Sequence, residues 1–156
     1  MEIVLLIVIV GGIVLLYAQQ AGGAVIQNTN WPSGDPIWSI AQAIAKQEGF
    51  GVVGSAPTRN HNPGDISDGA DTYGYDPAVT SSHVTSFPDD NTGWTWLYNK
   101  LTNIANGNSS VYDPGTSWIE IGSHWAADPN WPIGVAANLG VDPNSTMNDY
   151  LQSQGW

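Results

Sequence analysis

The chain has 156 residues, enough for one domain of ordinary size and little more. Three Lys and Arg stand against 14 Asp and Glu, a formal charge of −11. That balance argues against a nucleic-acid partner, whose phosphates must be met by basic side chains, and against a polybasic membrane-surface protein. The absence of cysteine removes disulfides, thiolate metal sites and a cysteine nucleophile.

The first element in chain order is apolar. Residues 3–16 read IVLLIVIVGGIVLL, and the uncharged stretch runs on past Trp31. A bilayer-spanning helix takes about 20 mostly apolar residues, and the mild segment Ala21-Gly22-Gly23-Ala24-Val25-Ile26 brings the run to that size. Residues 1–26 are therefore expected to form one N-terminal transmembrane helix, contacting the lipid bilayer through residues 3–26. The competing reading, a cleaved signal peptide, lacks a basic n-region, since only Met1-Glu2 precedes the apolar run. With no positive charge near the span, its orientation is open. Residues 27–34, rich in Asn, Thr, Pro and Gly, form the expected linker to a domain over residues 35–156.

In that domain, Asp35-Pro36 pairs a good N-cap with a residue favoured at the first helical position. Ile37, Ile40, Ala41, Ile44 and Ala45 then share one face, and Gly49 ends the helix after Gln47-Glu48. Residues 51–88 hold no helical period. Their Gly, Pro, Asn, Asp and Ser predict loops with one or two short hairpins, residues 79–87 being a candidate strand. A second helix is expected over residues 92–106, capped by Asp89 or Asp90, with Trp94, Leu97, Tyr98, Leu101, Ile104 and Ala105 as its apolar stripe. A third starts at Thr116 with Trp118, Ile119, Gly122 and Trp125 inward. A fourth is capped by Asp128-Pro129-Asn130 and runs to Leu139. A last one starts at Asp142-Pro143 and runs to about Gln152. The expected fold class is mainly α, an α+β domain with a small irregular β-hairpin lobe inserted after its first helix. The eight Trp fill a core or line a groove for a sugar polymer, whose pyranose faces stack on flat rings.

The chemistry concentrates where Gln47-Glu48-Gly49-Phe50 is followed by Arg59-Asn60-His61-Asn62-Pro63-Gly64-Asp65-Ile66. A carboxyl ending a largely apolar helix stays protonated to higher pH, because burial disfavours its charged form. A general acid that protonates a glycosidic oxygen needs that property. Asn60 and Asn62 offer donors and acceptors suited to sugar hydroxyls and N-acetyl groups, although Asn-Pro-Gly is equally a turn signal.

At these residues the chain resembles the lysozyme-like superfamily, in particular phage and bacterial lytic transglycosylases and muramidases whose loop reads R-N-N-N-P-G-N-[IL]. Two further segments carry the resemblance: His83-Val84-Thr85-Ser86-Phe87-Pro88-Asp89-Asp90-Asn91-Thr92-Gly93-Trp94, and Trp125-Ala126-Ala127-Asp128 with Val135-Ala136-Ala137-Asn138-Leu139-Gly140-Val141. His61 and Asp65 depart from the commoner Asn of that loop. The resemblance implies Glu48 as the catalytic acid at the bond between N-acetylmuramic acid and N-acetylglucosamine. It implies Asn60, His61, Asn62, Asp65, Tyr73, Tyr75 and Phe87, with some Trp, as substrate-binding residues. Lytic transglycosylases work with a single Glu, because the sugar's own 6-hydroxyl attacks. A second carboxylate would come from Asp65, Asp68 or Asp71, and hydrolysis and transglycosylation both stay open.

No metal or other cofactor is expected. Asp65, Asp68, Asp71 and Asp76 do not follow the calcium-loop spacing, His61, His83 and His124 lack the helical zinc spacing, and neither G-x-S-x-G nor a phosphate-binding glycine loop occurs. The expected partners are peptidoglycan glycan strands, the bilayer and capsid or envelope proteins, in a virion membrane or a bacterial cell envelope. The alternative is a non-catalytic, membrane-anchored structural protein of a virion or envelope with the same fold.

Overall fold

A computed structural model describes residues 6–10, 13–17, 34–78 and 83–156. Of the N-terminal segment it describes two strands, β1 (Leu6–Val10) and β2 (Ile13–Tyr17), paired antiparallel with Leu6 opposite Tyr17 and Val10 opposite Ile13. Among the described residues no helix is long and apolar enough to cross a membrane, so the expected transmembrane helix is not found. The chemistry of the run explains the pairing. Ile and Val are stiff at χ1 and favour strands, and Gly11-Gly12, read in sequence, is a two-residue hairpin signal. The rest of the expected anchor and most of the expected linker lie outside the described residues.

The remainder is mainly helical. α1 (Pro36–Glu48) starts as its sequence predicts: the Asp35 carboxylate accepts from the backbone N–H of Ile37 and Trp38, and Gly49 closes the helix at φ 79°. α4 (Asp90–Ala105) is capped by Asp89, whose Oδ1 accepts from Thr92 N at 2.8 Å. α5 (Trp118–Trp125) and α6 (Trp131–Leu139) lie beside each other, and both α6 and α4 pack against α1. α7 (Met147–Ser153) completes the domain with a reciprocal capping box between Thr146 and Asp149. The core joins Ile37, Ile40 and Ile44 of α1 to Leu97, Leu101 and Ile104 of α4, and to Trp118, Trp131, Val135, Met147 and Leu151 of the last three helices.

Three expectations change. The last helix starts at Met147 and not at Asp142-Pro143, because Asp142 Oδ1 is taken by the backbone N–H of Asn144 and closes a turn instead. On α5 the inward apolar residues are Trp118 and Ile121, whereas Ile119 is 45% exposed. The lobe over residues 51–88 carries no strand ladder among its described residues. It holds two single-turn helices, α2 (Ala56–Arg59) and α3 (Ala70–Tyr73), and one isolated bridge, Tyr75 to Thr85. Side chains replace the ladder. The buried amide of Asn62 donates to Ile66 O at 2.7 Å and Thr85 O at 2.9 Å and accepts from Ile66 N at 3.0 Å, meeting backbone groups that a sheet would otherwise pair. Residues 79–82 of the candidate strand lie outside the described residues.

Candidate functional site

Glu48 is the last residue of α1, half-buried where that helix ends against the start of α6. Its Oε1 accepts a hydrogen bond from the indole Nε1 of Trp131 at 2.6 Å. Trp131 is the first residue of α6 and is almost wholly buried. It stacks on Trp125, with ring centroids 5.6 Å apart and 19° between the planes. Trp125 ends α5, donates from Nε1 to the Gly64 carbonyl at 3.1 Å, and brings its indole near enough to favour the ionised form of Glu48. Two indoles thus tie the carboxyl at the end of α1 to the loop that follows α2.

Burial pushes the Glu48 carboxyl from its ordinary 4.5 up to about 7. The Trp131 hydrogen bond opposes this, the negative charge of Asp65 adds to it, and the Trp125 indole opposes it again. Desolvation wins because the surroundings are indole and helix, poor substitutes for water around a charge. A group that titrates at about 7 is about half protonated at neutral pH, where an ordinary carboxyl is ionised, and so holds a proton ready to give.

The sequence-predicted binding residues separate into distinct sets. Asp65 is near enough to act on Glu48 through its charge. Asn60 and Asn62 face inward: Asn60 is 4% exposed and donates from Nδ2 to Asp76 Oδ2 at 2.8 Å, and Asn62 is wholly buried in the clamp described above. Both hold the loop, and neither amide is free to meet a sugar in this conformation. His61 Nδ1 lies 2.6 Å from Asp90 Oδ1, fixing the loop to the start of α4. Phe87 is buried, in contact with Tyr73 and Trp96. Tyr73 and Tyr75 are exposed, Tyr75 edge-on to His83 at 5.0 Å. Their ring contacts are with one another, with Trp96 of α4 and with His83, and among the described residues none is with Trp125 or Trp131.

Sequence reasoning gave no individual role to Trp125 or Trp131. Both carried a signal: each is a large amphipathic ring at a helix terminus, where an indole N–H can reach a polar partner while its rings stay packed. The charged neighbours of the loop are also occupied. Asp76 accepts from Asn60, from the Ala78 N–H and from Arg59, and these bonds, Asn60's foremost, hold its carboxyl below the usual range. Asp68 pairs with Lys100 at 2.6 Å, and the Lys100 ammonium lies over the rings of Tyr112 and Trp125. Two hollows of about 320 and 290 Å³ lie beyond this pair, one beside Tyr112 and Asp113, the other between Asp68, Trp96, Lys100 and Asn103. Neither is lined by Glu48.

Comparison with known proteins gives no relative from which a function could be carried over: no family model, curated protein or solved structure matches the chain.

Proposed function

We propose that the chain is a peptidoglycan-cleaving glycosidase, a lytic transglycosylase or muramidase, with Glu48 as general acid at the bond between N-acetylmuramic acid and N-acetylglucosamine. The observation that carries this reading is a carboxyl kept protonated to about pH 7 by burial, at a helix end lined by two indoles. The resemblance of residues 37–151 to lysozyme-like proteins supplies the substrate class.

Glu48 gives its proton to the glycosidic oxygen, the C–O bond breaks, and the leaving sugar departs as an alcohol. Trp131 then stabilises the carboxylate that is left, because a hydrogen bond to an ionised acceptor is stronger than one to a neutral acid. A hydroxyl, from water or from the sugar itself, then bonds to the anomeric carbon and gives up its proton to a carboxylate of the site. Attachment to a membrane through the apolar residues 3–26, in a virion or a cell envelope, belongs to the same proposal. It would raise local concentration at the wall where an acidic protein gains no electrostatic steering.

The test is Glu48→Gln. It is expected to lower muropeptide release from purified peptidoglycan at least about 100-fold, as loss of a general acid does, with unchanged helical circular dichroism. A wild-type protein that releases nothing from pH 4 to 8, or a variant that matches it, overturns the reading. The position of the two hollows away from Glu48 favours a second reading, a non-catalytic membrane-anchored structural protein of a virion or envelope, since a fold does not guarantee an activity.

A further inference from the structure

We propose that Asp65 is the second carboxylate of the Glu48 site, the base that takes a proton from an attacking water, so that the glycosidic bond is cleaved by hydrolysis. This rests on the reading of Glu48 as the acid and goes beyond it by naming the attacking group and the residue that activates it.

Asp65 sits at the tip of a turn that the sequence constrains closely. Its N–H donates to Asn62 O at 3.1 Å, and the Asn62 side chain grips both backbone groups of Ile66 next to it. The turn holds Asp65 at φ 47°, a left-handed conformation that few residues other than Gly, Asn and Asp accept readily. The preceding carbonyl, Gly64 O, is tied to the indole of Trp125, which stacks on the Trp131 that donates to Glu48. The backbone is thus fixed in a costly conformation, and the carboxylate it carries lies near enough to act on Glu48 through its charge.

Once there, that carboxylate is unused by the protein. Asp65 Oδ1 is buried and meets no donor among the described residues. Its acidic neighbours differ. Asp76 is satisfied by Asn60, Arg59 and the Ala78 N–H, and Asp68 by Lys100. A buried acceptor without a donor is costly and calls for a functional explanation. The lone pairs of Asp65 suit a water or sugar hydroxyl.

The charged groups that bear on Asp65 are Glu48 and Asp76, with Arg59 paired to Asp76. Burial and the Asp76 charge raise the Asp65 carboxyl, and the Asp65 charge in turn raises Glu48. Two neighbouring carboxyls do not ionise together readily. An ionised Asp65 beside a protonated Glu48 is the division of labour that an acid–base pair needs.

The step balances. Water oxygen bonds to the anomeric carbon as one water proton passes to Asp65. The glycosidic C–O bond breaks, and its electron pair leaves with the glycosidic oxygen, which takes the Glu48 proton. Proton exchange with solvent resets both carboxyls. Attack from the face opposite the leaving group inverts the anomeric centre.

Digestion of purified peptidoglycan in H2(18)O, with mass spectrometry of the products, tests this. The wild type is expected to give reducing ends carrying 18O. Asp65→Asn, which tolerates the same backbone, is expected to release them at least about 100-fold more slowly with an unchanged melting temperature. Asp65→Gly keeps the turn and removes the side chain, and azide is expected to restore cleavage in it as the glycosyl azide. Products that are all 1,6-anhydro and free of 18O, or an Asp65→Asn variant within threefold of wild type, overturn the assignment of Asp65. If Glu48→Gln is inactive in the same assay, the Glu48 reading survives that failure. If Glu48→Gln is as active as wild type, both fall.

Discussion

The indole N–H of Trp131 reaches the carboxyl of Glu48 at 2.6 Å, across 83 positions of sequence. One hydrogen bond therefore fixes the end of α1 to the beginning of α6, and it does so at the group on which the proposed chemistry depends. The ring that donates also packs in the core, so the carboxyl is oriented by a side chain with no freedom to turn away.

Replacing Trp131 by Phe removes the donor while keeping an aromatic ring. Because this bond favours the ionised carboxylate, its loss is expected to move the Glu48 carboxyl above 7. The lost hydrogen bond and packing are expected to cost about 1–2 kcal/mol of stability. NMR titration and urea denaturation of Trp131→Phe read the two effects separately.

The raised Glu48 carboxyl also predicts how stability depends on pH. The native state binds this proton more tightly than the unfolded chain, so stability falls as pH rises from 4.5 through about 7 and levels off above it. The full span corresponds to at most about 3 kcal/mol. Glu48→Gln lacks this loss and keeps an acceptor for Trp131. It is expected to match wild type near pH 4 and exceed it by about 1–3 kcal/mol at pH 8, measured by denaturant unfolding at both. A constant difference across that range contradicts the account.

Gly93 on α4 lies against the loop that carries Asn60 and Asn62. A Cβ there would overlap the carbonyl oxygen of His61 and sit 2.9 Å from Pro63 Cδ. Gly93→Ala is expected to cost about 3 kcal/mol, since the obstacle is backbone and cannot swing aside. It should also disturb the His61–Asp90 pair, which Asp90→Asn weakens without touching the packing. Thermal unfolding of both variants separates the two effects.

Much of the helical framework was legible because it is written in short-range chemistry. The five Asp-Pro pairs show why. In each, at Asp35, Asp76, Asp113, Asp128 and Asp142, the carboxylate accepts from the N–H two residues on, the proline between having no N–H to offer. In sequence three of them, at Asp35, Asp128 and Asp142, read as the start of a helix. Only Asp35 caps one directly, because only there does an apolar helical period follow at once. After Asp142 the helix waits for Thr146 and its reciprocal bond with Asp149.

The site was legible in part, for a different reason. Glu48 stood out as a carboxyl ending an apolar helix, and the structure buries it as that pattern predicts. Asn60 and Asn62 were ambiguous because an amide that binds a sugar and an amide that binds backbone look alike in sequence. Burial decides between them, and the partners that hold these amides inside are Thr85 and Asp76, more than ten positions away. Trp125 was legible only as an inward residue of its helix and Trp131 not at all, because stacking and a hydrogen bond to a distant carboxylate are tertiary facts with no local spacing. The N-terminal run reads two ways: its length and hydropathy fit a membrane helix, while its β-branched residues and central Gly-Gly fit the strand pair described for β1 and β2.

The most direct measurement is the titration of the Glu48 side-chain carboxyl by carbon-13 NMR, in wild type and in Asp65→Asn. A midpoint near 7 in the wild type, lowered once the Asp65 charge is gone, is the predicted result. A midpoint near the ordinary 4.5 would leave Glu48 ionised at neutral pH with no proton to donate, and the account of this chain as a glycosidase would be contradicted at its source.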